Sequence, residues 1–351
     1  MAGATMINAY IGTYTRHGKS QGIYLCHFDH DSGALEVMDT VDGITDPSYL
    51  TLSPDRSVLY AASEKTDASE IHTYRVGPDG RLSPISMAVL PMKSLCHLSC
   101  HPDGGMLVGS GYRSGNLMSL KLNADGTLGT LASVIYHEGC SIHPIRQTCP
   151  HVHSAVFAPD GRHVLVCDLG TDRIYAYSAD TGAGTLADVS QTPVAAGEGP
   201  RHMAFSPDGK RLYAVTELGN HVLTYAFNSI SASLVLLDTI QTLKVGFAGE
   251  STAADIHLSP DGRFLYVSNR GADDITCFAL DAQGLPRYVC AINTEGKTPR
   301  HFVITADGAF AIAANQDSDS VVVLKRNLEN GACLSKAAAA EIPSPSCVLL
   351  L

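Results

Sequence analysis

The chain has 351 residues and a formal net charge of −11. Nucleic acid and anionic membranes both need a basic patch, so neither is an expected partner. Hydrophobic residues make up 45% of the sequence, enough for a substantial core, and no stretch approaches the ~20 apolar residues of a membrane helix. In chain order, residues 8–14 and 22–28 read as two strands. A motif of apolar strand, turn and apolar strand then recurs six times. Its turns are Ser53-Pro54-Asp55, His101-Pro102-Asp103-Gly104, Ala158-Pro159-Asp160-Gly161, Ser206-Pro207-Asp208-Gly209, Ser259-Pro260-Asp261-Gly262 and Thr305-Ala306-Asp307-Gly308. Pro presets φ and Gly accepts positive φ, which is why this tripeptide turns the chain.

The turn aspartates lie 48, 57, 48, 53 and 46 residues apart, the period of a four-stranded propeller blade. A third, more polar strand follows each hairpin, as at residues 173–177 and 221–225. The only helix-like stretch, Ser335-Lys336-Ala337-Ala338-Ala339-Ala340-Glu341, is too short to change this reading. Residues 345–351 resemble the start of another repeat. Joined to the N-terminal strands they complete a seventh blade and remove exposed sheet edges. The expected fold is therefore all-β: one domain over residues 1–351, a seven-bladed β-propeller of four antiparallel strands per blade, with both chain ends in one blade. A closed propeller needs no partner to cover its edges, so a monomer is expected. The first residues lack a basic region followed by an apolar core, which makes the cytoplasm the expected location. Ten cysteines, none in a Cys-x-x-Cys pair, read as reduced thiols, most of them buried.

The repeat also exposes candidate chemistry, because equivalent positions share one structural task. Seven residues before the turn aspartates stand Ser48, Cys96, His153, Arg201, Ala254 and Arg300. Nine residues after them stand Glu64, Tyr112, Leu169, Glu217, Arg270 and Gln316. Both sets fall at one end of the strands, where loops form sites at the channel rim. One His, three Arg and two Glu among otherwise apolar strands point to a polar pocket, since charges are rarely buried without a partner or a purpose. Arg201 and Glu217 are hairpin neighbours, so a structural ion pair is the competing explanation for these two. His153 has an equally plain alternative as a histidine bonded to the next blade. His151-Val152-His153 has the spacing of half a metal site on a strand, but no third ligand has convincing spacing, and no metal or other cofactor is expected. No Gly-rich phosphate loop precedes a helix, and nucleotide binding and serine hydrolysis both lack support.

Nearly the whole chain resembles the seven-bladed propeller lactonases, which include the propeller-type 6-phosphogluconolactonase and the carboxymuconate-lactonizing enzyme. The resemblance runs through Tyr10-Ile11-Gly12-Thr13-Tyr14-Thr15, Arg146-Gln147, Pro150-His151-Val152-His153-Ser154 and Asp168-Leu169-Gly170-Thr171-Asp172-Arg173. It continues in Gly199-Pro200-Arg201-His202, Thr216-Glu217-Leu218, Val267-Ser268-Asn269-Arg270-Gly271, Thr298-Pro299-Arg300-His301 and Ala314-Asn315-Gln316-Asp317-Ser318-Asp319. It implies catalytic roles for His153, Arg201, Glu217 and Arg270. Arg300, His202, His301, Gln316, Glu64 and Tyr112 form the expected substrate-binding set, and the expected partner is a small anionic lactone. His301 stands where many members carry Asn, and Gly111 precedes Tyr112 where Asn is common, so the pocket is expected to differ in detail. Hydrolysis of a sugar-acid lactone, first 6-phosphogluconolactone, is the leading reading. Lactonizing cycloisomerization uses the same residues, and a non-enzymatic binding propeller is disfavoured by a chain without Trp.

Overall fold

The computed structural model describes residues 6–351, without the side chains of residues 333 and 334. The repeated turn builds itself from its own side chains. Ser206 Oγ donates to Asp208 Oδ1 at 2.6 Å and accepts the Arg211 N–H at 2.9 Å, while Gly209 sits at φ +67°. Ser53, Ser259 and Thr305 make the same bond to Asp55, Asp261 and Asp307. His101 substitutes for the hydroxyl in its turn, with Nδ1 2.6 Å from Asp103 and Nε2 2.8 Å from the Gly161 carbonyl. The first turn lacks the glycine, and Arg56 takes its left-handed place at φ +60°.

Each turn joins the first two strands of a four-stranded antiparallel sheet, and there are seven such sheets, so the chain is a seven-bladed β-propeller. In the blade shared by the two ends, the last strand, Pro345–Leu350, pairs with the first, Met6–Thr13, through Ala9↔Leu350 and Ile11↔Val348. The second strand of a blade is buried on both faces, as in His163–Asp168 and Phe310–Asn315, because neighbouring blades cover both sides of it. Outer strands such as Ser233–Gln241 are largely exposed.

Two compact units are present. One comprises residues up to 48, 78–81 and 240–351; the other comprises 49–77 and 82–239. In the second unit, successive blades are cemented by apolar layers, for example Leu165, Ile174 and Ala176 against Leu212, Ala214 and Tyr225. In the first, Phe28 and Ile11 meet Phe310 and Ile312, with the Phe28 and Phe310 rings edge to face at 5.5 Å.

The helix-like alanine run is a strand. Residues 335–341 lie in Cys333–Glu341, paired with Ser320–Arg326 through Val322↔Ala339. A helix of seven residues cannot recover its nucleation cost, whereas the neighbouring strand supplies a full ladder of partners. Among the described residues the one helical element is the 3-10 turn Gln316–Ser318.

Candidate active site

The entry into the inner strand Pro200–Phe205 is held by a polar clamp, and this sets the site. Asp172, at φ +50°, accepts the N–H groups of Gly199 at 2.6 Å and Gly197 at 2.7 Å. That fixes the loop leading into Pro200–Phe205 and hence Arg201. The Glu217 N–H donates to the Gly199 carbonyl at 2.7 Å, and Ser154 Oγ donates to the Arg201 carbonyl at 2.7 Å.

Five of the expected residues, His153, Arg201, Glu217, Tyr112 and His202, come together in the second unit. Arg201 Nε lies 3.0 Å from Glu217 Oε2, and both side chains are about 2–3% exposed. His153 Nε2 is 3.9 Å from the same oxygen. The other carboxylate oxygen accepts from Arg146 Nη2, which also donates to the Tyr112 hydroxyl at 3.1 Å. His202 packs edge-on to His153 with ring centroids 5.3 Å apart. Tyr112 stacks on His151 at 4.3 Å, and His151 Nδ1 donates to the Tyr112 carbonyl at 2.8 Å. Two guanidinium groups thus meet one buried carboxylate. Burial alone would lower the Arg146 guanidinium, but the Glu217 charge and the Tyr112 hydroxyl outweigh it and push it above its usual range. Burial pushes the Tyr112 hydroxyl up, and the Glu217 charge adds to this.

Arg146 was absent from the repeat-derived set because it occupies no repeat position. It sits in residues 137–151, the longest connection between described strands, and that length was the available signal. The connection is rigidly tied. His137 places Nδ1 2.8 Å from Asp168 Oδ2 and Nε2 2.9 Å from the Tyr177 hydroxyl. Asp168 Oδ1 accepts the N–H groups of His151, Gly170 and Thr171. Fully buried Gln147 donates to the Leu169 carbonyl at 2.9 Å. Chain approach is close here too: a Cβ on Gly170 would meet the Cys149 carbonyl oxygen at 2.0 Å. Glu64 is half-buried just beyond the Val58–Ser63 strand.

The remaining expected residues belong to the first unit. Arg270 turns back on its own blade, donating to the carbonyls of Ala253 at 3.1 Å and Thr252 at 3.4 Å. The Arg300 guanidinium lies 5.3 Å from the Tyr14 ring centroid, a ring also covered by Arg16 at 4.4 Å. Arg16, which the repeat count did not reach, pairs with Asp46 at 2.7 Å. Gln316 donates to Asp317 at 3.1 Å.

His301 Nε2 lies 3.5 Å from Asp255 Oδ2, which His257 Nε2 approaches at 2.8 Å. Ligand atoms of these three residues fall within 4.8 Å of one another, and two imidazoles with one carboxylate are a donor set of the type that binds zinc. However, His301 Nδ1 accepts the Val348 N–H at 3.2 Å. A neutral ring then carries its proton on Nε2, so the geometry is that of a hydrogen-bonded cluster around Asp255 rather than a set of metal-ready lone pairs. For His257, burial lowers the pKa but the Asp255 charge outweighs it and raises it.

A cavity of about 370 Å³ lies at the opposite strand ends of the second unit, beside the turns, lined by Asp55, Asp103, Asp125, Arg75 and Tyr60 among others. Its carboxylates bond within their own turns, and three acidic groups make it a poor seat for an anion.

Comparison with known proteins shows the family. Residues 8–350 match the family described as lactonase, 7-bladed beta-propeller. The chain is 30% identical over 344 residues to the 6-phosphogluconolactonase of Bacillus subtilis, covering 97% of each protein. It is 34% identical to the 6-phosphogluconolactonase of Serratia proteamaculans, over 91% of this chain and 92% of that one. The solved structure of the periplasmic gluconolactonase of Pseudomonas aeruginosa superposes with a TM-score of 0.94 at 34% identity, over 99% of both chains. The chain belongs to the seven-bladed β-propeller lactonase family.

No helix among the described residues is long and apolar enough to cross a membrane.

Proposed function

We propose that the protein hydrolyses the lactone of an anionic sugar acid, first among them 6-phosphogluconolactone to 6-phosphogluconate. The observation that carries this is the buried Arg201–Glu217 pair with His153 3.9 Å from the same carboxylate oxygen. His153, 3.9 Å from the same carboxylate oxygen, is the group that takes the proton from water, and Glu217 orients it. General-base help of this kind contributes roughly 10²–10⁴-fold. The water oxygen adds to the lactone carbonyl carbon, and Arg201 stabilises the resulting oxyanion, a contribution of about 10²–10³-fold. Collapse breaks the ring C–O bond, and the protonated His153 returns its proton to the leaving oxygen, which becomes the sugar hydroxyl.

Arg270 completes the proposed catalytic set. Arg300, His202, His301, Gln316, Glu64 and Tyr112 form the proposed substrate-binding set. A guanidinium such as that of Arg300 matches carboxylate or phosphate geometry. The proposal includes a monomer acting in the cytoplasm, which sizing chromatography and cell fractionation check.

The names of the relatives divide between phosphorylated and unphosphorylated gluconolactones, so both substrates enter the test. Purified protein is mixed with fresh glucono-δ-lactone 6-phosphate or glucono-δ-lactone, and acid release is followed at neutral pH beside Glu217→Gln and Arg201→Ala. Acceleration over buffer that both substitutions abolish is the expected result. No acceleration on either lactone overturns the proposal.

A further inference from the structure

Arg146 is the arginine of this site that the repeat does not explain. Its guanidinium touches the protein through a single nitrogen, Nη2, which serves both Glu217 and Tyr112. Among the described residues, Nε and Nη1 have no hydrogen-bond acceptor. The side chain is 35% exposed, against 2% for Arg201. Three of its five N–H donors therefore remain available, on a guanidinium whose orientation is already set by two bonds. The backbone behind it is held by the buried His137–Asp168 and Gln147 contacts. A fixed guanidinium with open donors recognises a second anion without losing the first, because the orienting entropy has already been lost.

We propose that Arg146 is a specificity-determining residue that reads the negative group of the substrate, a phosphate or carboxylate remote from the reacting carbonyl. The inference rests on the lactonase reading above. It separates two arginine tasks: buried Arg201 faces the reacting oxygen, and half-exposed Arg146 binds the substrate's permanent charge. Tyr112 supports the second task, since its hydroxyl fixes Nη2.

The test compares wild type, Arg146→Lys and Arg146→Met on glucono-δ-lactone 6-phosphate and glucono-δ-lactone. The readout is the ratio of kcat/KM for the charged over the uncharged substrate. A charge-assisted hydrogen-bonded contact corresponds to about ten- to a hundredfold, so Arg146→Met lowers that ratio about tenfold or more, chiefly through KM for the phosphorylated lactone. Arg146→Lys falls between, keeping the charge but not the fork. Equal losses on both lactones, with the ratio unchanged, overturn the proposal and leave Arg146 as a support for Glu217 alone. Circular dichroism and thermal melts establish that each variant is folded, and Arg146→Lys decides the matter where Arg146→Met does not fold.

Should wild type hydrolyse neither lactone, the lactonase reading fails, and calorimetric titration with 6-phosphogluconate judges Arg146 separately. Binding weakened about tenfold in Arg146→Met supports the anion site. Equal binding in both proteins, or none in wild type, overturns it.

Discussion

Nε of Arg201 lies 3.0 Å from Oε2 of Glu217, with both side chains almost closed to solvent. Removing one partner of such a pair strands the other charge in the interior, which costs about 3–5 kcal/mol. Glu217→Ala is therefore expected to lose stability on that scale in urea unfolding, and Glu217→Gln, which keeps an acceptor oxygen, to lose less. Both are expected to lower kcat by roughly 10²–10⁴-fold. A Glu217→Gln variant with wild-type kcat would remove Glu217 from the mechanism.

Asp172 holds two backbone N–H groups of the loop that delivers Arg201. Hydrogen bonds to a charged acceptor contribute about 1.5 kcal/mol or more each. Asp172→Ala is expected to cost about 3 kcal/mol and to reduce kcat as well, although Asp172 touches none of the proposed catalytic groups. Denaturant midpoints and steady-state kinetics on the same preparation check this. Lost stability with unaltered kcat would show that the loop keeps its course without the clamp.

Arg56 occupies a left-handed position that Gly104, Gly161, Gly209, Gly262 and Gly308 fill in the other turns. An L-residue there costs about 1–2 kcal/mol, offset by the ~0.5–1 kcal/mol of extra chain entropy a glycine loses. Arg56→Gly is expected to raise the unfolding free energy by about 0.5–1 kcal/mol, read from the shift in urea midpoint. A lower midpoint would mean that the arginine side chain contributes something its exposed position does not suggest.

His221 and Glu198 form a partly buried pair at 3.0 Å. The hydrogen bond to Glu198 raises the His221 pKa above 6.5 against the opposing effect of burial. Burial pushes Glu198 up, but bonds from His221 and Thr216 outweigh it and leave the carboxyl below 4.5. The histidine's contribution is fully present below its unfolded pKa and disappears as pH rises through the raised folded value. The glutamate's is present above its unfolded pKa and disappears as pH falls through the lowered one. The pair thus stabilises most between these limits. The stability difference between wild type and His221→Gln is expected to be larger at about pH 5.5 than at about pH 8.5, because the histidine's contribution disappears as pH rises through its raised pKa. A difference that does not change with pH would show that His221 does not titrate in this window.

Much of the architecture was legible because turns and strands are local. The repeated turns define hairpins without reference to distant residues, and six of them, with one more blade from the joined chain ends, give seven blades. The same register singled out His153, Arg201 and Glu217, since a strand position keeps its direction from blade to blade. Two things were not legible. The alanine run at residues 335–341 has strong helix propensity, and only the neighbouring strand Ser320–Arg326 makes it a strand. Arg146 lies in an irregular connection with no repeat partner, so no spacing rule reports where its side chain goes. That depends on long-range bonds from Gln147 and Asp168, which close only once the blade 152–193 has formed.

The sequence by itself determined the blade count, the joining of the chain ends and the residues available for chemistry, because these follow from local turn geometry and strand period. Only the tertiary structure decided that Glu217 faces two arginines rather than one, and that His301 spends its ring nitrogens on Val348 and Asp255. Both depend on side chains far apart in the chain meeting at one oxygen or one ring. No short-range pattern encodes such a meeting.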